Sequence, residues 1–205
     1  MRIVLHGLAG TGKSSLGELL AHRLGYELYA YADPLKLLCA EFIQELPWWG
    51  NKTEKETEYL VRDLDFNFIV NFGSSLGLRF DVLHAINIYF LDIVENKETI
   101  SAREILQYVG TEIVRNMQER DFWVKLGQSK DDVVITDVRF VNELVDFNIK
   151  LLGGVSESGD THESESGIDD AYFDLILENK FSENPEQQLE ELTNLIMEKI
   201  VNGEE

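Results

Sequence analysis

Gly7-Leu8-Ala9-Gly10-Thr11-Gly12-Lys13-Ser14 is the stretch on which the fold turns. Its spacing is G-x-x-x-x-G-K-[ST], a loop whose backbone wraps a phosphate. Gly7 and Gly12 permit the tight turns that aim successive N–H groups at phosphate oxygens. The flanks supply the context such a loop requires. Arg2–His6 reads as a short buried strand running into Gly7. Lys13–Leu24 reads as a helix with Leu16, Leu19, Leu20 and Leu24 on one face, closed by Gly25. A helix beginning near Lys13 adds its positive N-terminal dipole to the loop. Lys13 is placed to reach β- and γ-phosphates, and the Ser14 hydroxyl to ligate Mg2+. Gly7, Ala9, Gly10, Thr11, Gly12, Lys13, Ser14 and Ser15 are the candidate ATP-binding residues, with Lys13 also a catalytic candidate.

Working outward, Glu27–Tyr31 is a second short strand. Asp33 is the expected N-cap, with Pro34 in the first turn, of a helix reaching about Leu46 before Pro47 stops it. Pro47–Ser75 holds Trp48, Trp49 and the charged run Lys52–Glu58, and shows no clear period. Arg79–Val94 is a helix apolar on most sides, suited to a deep core or a subunit interface. Ser101 and Glu104 form a capping box that opens a helix to about Gln118. Val133–Thr136 is a β-branched strand ending at Asp137, Ile149–Leu152 another, and Asp174–Leu177 the last. Gly153–Gly167 between them is a polar loop, and Pro185–Val201 an amphipathic helix. Strands alternating with helices imply a parallel sheet covered on both faces. The expected architecture is an α/β P-loop fold with about five parallel strands. It forms one domain over 1–205, with a helical insert or lid at 47–100.

Composition narrows the partners. Lys plus Arg number 18 against 38 Asp plus Glu, a net charge of −20 over 205 residues. That balance excludes a nucleic-acid polymer, whose phosphates need a basic stripe, and disfavours an anionic membrane surface. Hydrophobic residues at 44 % and charged residues at 27 % are globular proportions. Cys39 is the only cysteine, so neither an intrachain disulfide nor a cysteine zinc site is expected. Met1–Leu5 does not resemble a signal peptide, and the apolar stretch Ile86–Val94 is too short for a bilayer. A cytoplasmic location is the expectation.

A phosphate-binding loop alone does not separate kinases from hydrolases or switches. Asp137 sits where a parallel strand delivers a carboxylate to the ligand edge, able to hold magnesium, bind an acceptor, or cap the next turn. Arg139 and Glu143 follow within reach of that edge, and an arginine beside such an aspartate suits a clamp on a second phosphate. Lys13, Asp137 and Arg139 are the catalytic candidates, with Ser14 and Asp137 as metal ligands. Trp123 reads either as core or as a stacking surface. Arg115 and Arg120 read as lid arginines or as partners of the abundant carboxylates. His162, Glu163 and Glu165 lack a second nearby histidine and do not read as a zinc site. His6 reads as a core histidine.

Several of these segments, in order, resemble the bacteriophage-type deoxynucleoside monophosphate kinases. They are Tyr31-Ala32-Asp33-Pro34-Leu35-Lys36, Arg103-Glu104-Ile105-Leu106-Gln107 with Gly110-Thr111-Glu112, and Trp123. Thr136-Asp137-Val138-Arg139-Phe140 with Asn142-Glu143, then His162-Glu163-Ser164-Glu165 and Glu178-Asn179, complete the set. The resemblance spans most of the chain except about Pro47–Thr99 and the far C-terminus. It implies transfer of the ATP γ-phosphate to a dNMP in a homodimer, within the host cytoplasm for a phage-encoded chain. It also implies that Arg103, Gly110, Thr111, Trp123, Asp137, Arg139 and Glu143 line the acceptor site, with Asp33 and Lys36 at its near wall. Two other readings stay open on the residues alone. One is a P-loop kinase with a hydroxyl acceptor, for which Asp33 is the candidate base. The other is a nucleotide-sensing module without transfer.

Overall fold

The computed structural model describes residues 1–8, 10–40, 58–60, 66–97, 99–153, 168–180 and 184–202. Ala9, the 47–57 part of the expected insert and the loop carrying His162, Glu163 and Glu165 lie outside these residues. The chain divides into two compact units, Met1–Tyr31 with Gly127–Glu205, and Ala32–Leu126.

The first unit is built on a five-stranded sheet of β1 (Arg2–His6), β2 (Glu27–Tyr29), β5 (Val133–Val138), β6 (Phe147–Leu152) and β7 (Leu175–Glu178). The order is β2-β5-β1-β6-β7, and every pair is parallel. Parallel pairing puts all five carboxyl ends on one edge, and β1, which runs into the glycine loop, lies in the middle. Alternation along the strands sends Ile3, Leu5, Val134, Ile149, Leu151 and Leu177 to one face. There they meet Leu16, Leu20 and Ala21 of α1 (Lys13–Leu24) and Leu192 and Ile196 of α7 (Pro185–Asn202). Val4, Val133 and Ile135 are buried as well, so these strands are apolar on both sides, as parallel strands are.

The second unit is mainly helical, with α2 (Asp33–Ala40), α3 (Phe66–Ser75), α4 (Phe80–Asn96) and α5 (Ala102–Gln107). A short antiparallel pair joins β3 (Glu58–Leu60) to β4 (Thr99–Ser101). After α5 comes a π-helical stretch, Tyr108–Arg115, and then α6 (Phe122–Gln128). Its core gathers Leu35 and Leu38 from α2, Ile86 and Phe90 from α4, Ile105 from α5, and Val109 and Ile113 from the π-helical turns. Phe80, Ile88, Leu91 and Val94 of α4 stay exposed. Among the described residues no helix is long and apolar enough to cross a membrane.

The structure refines four sequence expectations. Asp33 is the first residue of α2 rather than its cap, because the Ala32 carbonyl accepts the Lys36 N–H at 2.9 Å. Strand β2 stops at Tyr29 rather than Tyr31, because the Tyr31 N–H donates to the Asp137 carboxylate instead of a ladder. Strand β5 runs on through Asp137 to Val138. The Ser101 hydroxyl does accept the Glu104 N–H at 3.2 Å, but the helix it opens widens into π-turns at Tyr108 instead of staying regular to Gln118.

Candidate active site

The glycine loop leaves β1 at Gly7, where a side chain has no room: a Cβ there would stand 2.4 Å from the Leu151 carbonyl oxygen. Gly10 and Gly12 have φ of 77° and 90°, the left-handed region that glycine enters without steric cost. Thr11 is buried and turns its hydroxyl back to the Leu8 carbonyl at 2.9 Å. Gly12 occupies the cap position of α1, and no side chain caps that helix. The first-turn N–H groups, next to exposed Ser14 and Ser15, therefore lack the usual side-chain acceptor. Donors of this kind, backed by the helix dipole, suit an anion.

Lys13 folds over the loop, its Nζ donating to the Gly7 and Leu8 carbonyls at 2.6 Å each. Burial pushes its pKa below the ordinary lysine value, and the nearby Arg139 guanidinium pushes the same way. A part-buried ammonium with a second cation nearby favours an anion at this place. His6, at the end of β1, is buried, donates from Nδ1 to the Val138 carbonyl at 3.1 Å and stacks on Phe173. Burial lowers its pKa, which fits a neutral core histidine.

Asp137 owes its setting to a slip in register. Val4 pairs with Ile135 but His6 with Val138, so Thr136 and Asp137 stand together opposite Leu5. Such a bulge re-aims a side chain at a strand end. Here the Asp137 Oδ1 accepts the Tyr31 N–H at 2.8 Å. Just beyond, Glu143 is buried, and its Oε2 accepts the N–H of Arg139 at 2.5 Å and of Phe140 at 3.1 Å. The Tyr31 hydroxyl donates to the Glu143 carbonyl at 2.7 Å, tying the same turn to the end of β2. Burial, reinforced by the Glu143 and Asp137 charges, pushes the Tyr31 phenol well up, so it remains a donor. Arg139 itself is exposed. The bulge does not show in the sequence, since it depends on two strands far apart in the chain, whereas the Glu143 carboxylate bonds amides only four and three residues before it.

The remaining candidates fall in the second unit. Asp33 and Lys36 form an ion pair at 2.9 Å, one turn apart on α2. Arg103 is exposed on α5, and Thr111 is half-buried in the π-helical stretch. Gly110 is buried, and a Cβ there would stand 2.5 Å from Cδ2 of Leu35. Trp123 is only 3 % exposed, and its indole N–H donates to the Gly110 carbonyl at 3.3 Å. The structure thus brings Gly110 and Trp123 together, and Asp33 and Lys36 together. In the first unit it brings Lys13 within electrostatic range of Arg139, and Arg139 onto Glu143. Among the described residues no three His, Cys, Asp or Glu side chains cluster as a metal cage. A cation here would need most of its ligands from phosphates and water, which is the habit of Mg2+.

A central parallel strand, a glycine loop and an uncapped helix at the carboxyl edge of the sheet define a P-loop kinase fold. Comparison with known proteins carries this further. A model of the deoxynucleotide monophosphate kinase family matches residues 74–196, and the chain belongs to that family. The deoxynucleoside-5′-monophosphate kinase of Escherichia phage T5 is 30 % identical, over 86 % of this chain and 88 % of the relative. The deoxynucleotide monophosphate kinase of Escherichia phage RB69 is 34 % identical, over 51 % of this chain and 46 % of the relative. The protein is an enzyme with the phosphotransferase activity of this family. The family match begins well past the glycine loop, so the reading of that loop rests on its own residues.

Proposed function

We propose that the enzyme transfers the γ-phosphate of Mg-ATP to a deoxynucleoside 5′-monophosphate, giving ADP and the dNDP. The observation that carries this reading is the uncapped start of α1 with the Lys13 ammonium folded over the loop. Bound Mg-ATP supplies the transferable phosphoryl group and a divalent charge that neutralises its oxygens. Lys13 exchanges the Gly7 and Leu8 carbonyls for β- and γ-phosphate oxygens, while backbone N–H groups of the loop from Gly7 to Ser15 hold the rest of the chain of phosphates. The Ser14 hydroxyl and the Asp137 carboxylate are the protein oxygens assigned to magnesium. Arg139 holds the acceptor phosphate, and Glu143 fixes the backbone from which Arg139 projects.

The acceptor needs no general base, because a 5′-phosphate has a second pKa near 6 and is already a nucleophile at neutral pH. Charge screening and alignment then supply the rate. Asp33, Lys36, Arg103, Gly110, Thr111 and Trp123 are assigned to the acceptor wall. Trp123 serves it from behind, through the Gly110 carbonyl. On this reading residues 1–205 are one kinase domain, and the 47–100 segment belongs to its helical insert. The test is ADP release with Mg-ATP against a panel of dNMPs, NMPs and nucleosides. Turnover with at least one dNMP and none with nucleosides is expected. Turnover with a nucleoside alone would replace the phosphate acceptor by a hydroxyl, and ATP binding with no transfer would leave a sensor.

A further inference from the structure

Asn179 follows β7 and is buried, with 7 % of its surface exposed. Its backbone N–H continues the sheet by donating to the Leu152 carbonyl at 2.8 Å. Its side chain leaves the sheet: Nδ2 donates to the Thr11 carbonyl at 3.0 Å, a bond spanning 168 residues of sequence. The same amide lies where a Gly12 side chain would have to go, 2.7 Å from the position of a Cβ. Strand β6 also lies close to the loop, with the Leu151 carbonyl 2.4 Å from where a Gly7 Cβ would stand. The loop is therefore seated on the β6–β7 ends by backbone contact at its first glycine and by one side-chain amide at its last.

That amide has a consequence for the atoms that meet phosphate. In a trans peptide the C=O and the following N–H point in opposite directions. Drawing the Thr11 carbonyl toward Asn179 turns the Gly12 N–H away from it. It also sets the peptide that leads directly into Lys13 and the uncapped first turn of α1. A loop free to rock about this peptide would lose the fixed aim on which preorganised anion binding depends.

We propose that Asn179 is a positioning residue for the triphosphate: by holding the Thr11 carbonyl it aims the Thr11–Gly12 peptide and the start of α1 at the phosphates. The inference rests on the reading of the loop as the ATP site. Its competitor is a direct contact between Asn179 and the nucleotide base, and the two predict different losses. A positioning role acts on any triphosphate, whereas a base contact acts only on a ligand that has a base.

The experiment measures Mg-ATP and Mg-tripolyphosphate binding by calorimetry for the wild type, Asn179→Ala and Asn179→Asp, with acceptor KM alongside. Asn179→Asp keeps the shape of the side chain while removing the donor, so it serves where the alanine variant folds poorly. Both ligands should weaken by a similar factor, about tenfold for the alanine variant, with the acceptor KM within about twofold of wild type. A loss for Mg-ATP with none for Mg-tripolyphosphate overturns the positioning role in favour of a base contact. Unchanged affinity of both variants for both ligands overturns it outright. A wild type that binds neither ligand instead removes the ATP reading of the loop, and this inference with it.

Discussion

In the sheet unit, side chains reach backbone atoms far away in sequence: Asn179 to Thr11, Tyr31 to Glu143, Arg2 to Gln128, and Asp137 to the Tyr31 N–H. In the helical unit, the interior is Leu35, Leu38, Ile86, Phe90, Ile105, Val109 and Ile113, and Trp123 adds an indole bond to the Gly110 carbonyl. One unit is organised to hold carbonyls and N–H groups in set directions. The other chiefly fills volume, although the Gln118 side chain also bonds the Arg79 N–H and the Gly77 carbonyl. Directional bonds lose their worth with a small rotation, whereas an apolar core tolerates rearrangement as long as volume is conserved. Polar substitutions in the sheet unit should therefore register first in turnover, and volume changes in the helical unit first in stability.

Lys13→Ala should break the comparison open most widely. Lys13 bonds the Gly7 and Leu8 carbonyls and the Thr11 hydroxyl, all within its own loop, so the fold does not depend on it, while the proposed chemistry does. The turnover number should fall by about a thousandfold or more, with the melting temperature within a few degrees of wild type. Steady-state ADP release and a thermal melt read the two halves separately. A variant retaining a tenth of wild-type turnover would remove Lys13 from the transfer step.

Glu143 sharpens the same point, since its carboxylate serves structure and site at once. Removing it in Glu143→Ala strands the Arg139 and Phe140 N–H groups that Oε2 now accepts. The expected cost is about 2 kcal/mol in urea unfolding, with a higher acceptor KM because one stranded amide belongs to Arg139. Glu143→Gln keeps an acceptor oxygen and should lose about 1 kcal/mol. A higher KM without any loss of stability would show the carboxylate to be a direct ligand instead of the brace of this turn.

How much of this was legible follows the same division. Arg2–His6 and Lys13–Leu24 come out with the boundaries read from sequence, because a glycine loop, a leucine stripe and a terminal glycine are all local signals. The placing of Asp137 and Arg139 at a strand end is local too. Strand order is not: Val133–Val138 lies between β1 and β2 through crossovers that leave no mark on either strand. The bulge opposite Leu5 requires knowing that β1 and β5 are neighbours. The bond from Asn179 to Thr11 joins positions 168 apart in sequence, and no local pattern announces it. The π-turns from Tyr108 escaped for another reason. Ile105, Val109 and Ile113 keep a spacing that an ordinary helix also produces, so the pattern does not betray the wider turn.

Gly110 gives the smallest effect and the finest test, because two opposing terms meet there. Alanine in place of glycine within a helix gains up to about 1 kcal/mol of backbone free energy. Its Cβ, however, would stand 2.5 Å from Leu35 Cδ2, a side chain that is itself buried and has little room to yield. Overpacking of this kind costs about 1–3 kcal/mol, so Gly110→Ala should be destabilising by roughly 1 kcal/mol net. Leu35→Val in the same chain removes the atom in the way and should restore part of the loss. A double-mutant cycle should then show a favourable coupling of about 1 kcal/mol. Strict additivity would mean that Leu35 does not set the need for glycine. The reason would then lie in the π-turn itself, whose Gly110 carbonyl takes the Trp123 indole, and the interior of the helical unit would prove to be held by direction here as well as by volume.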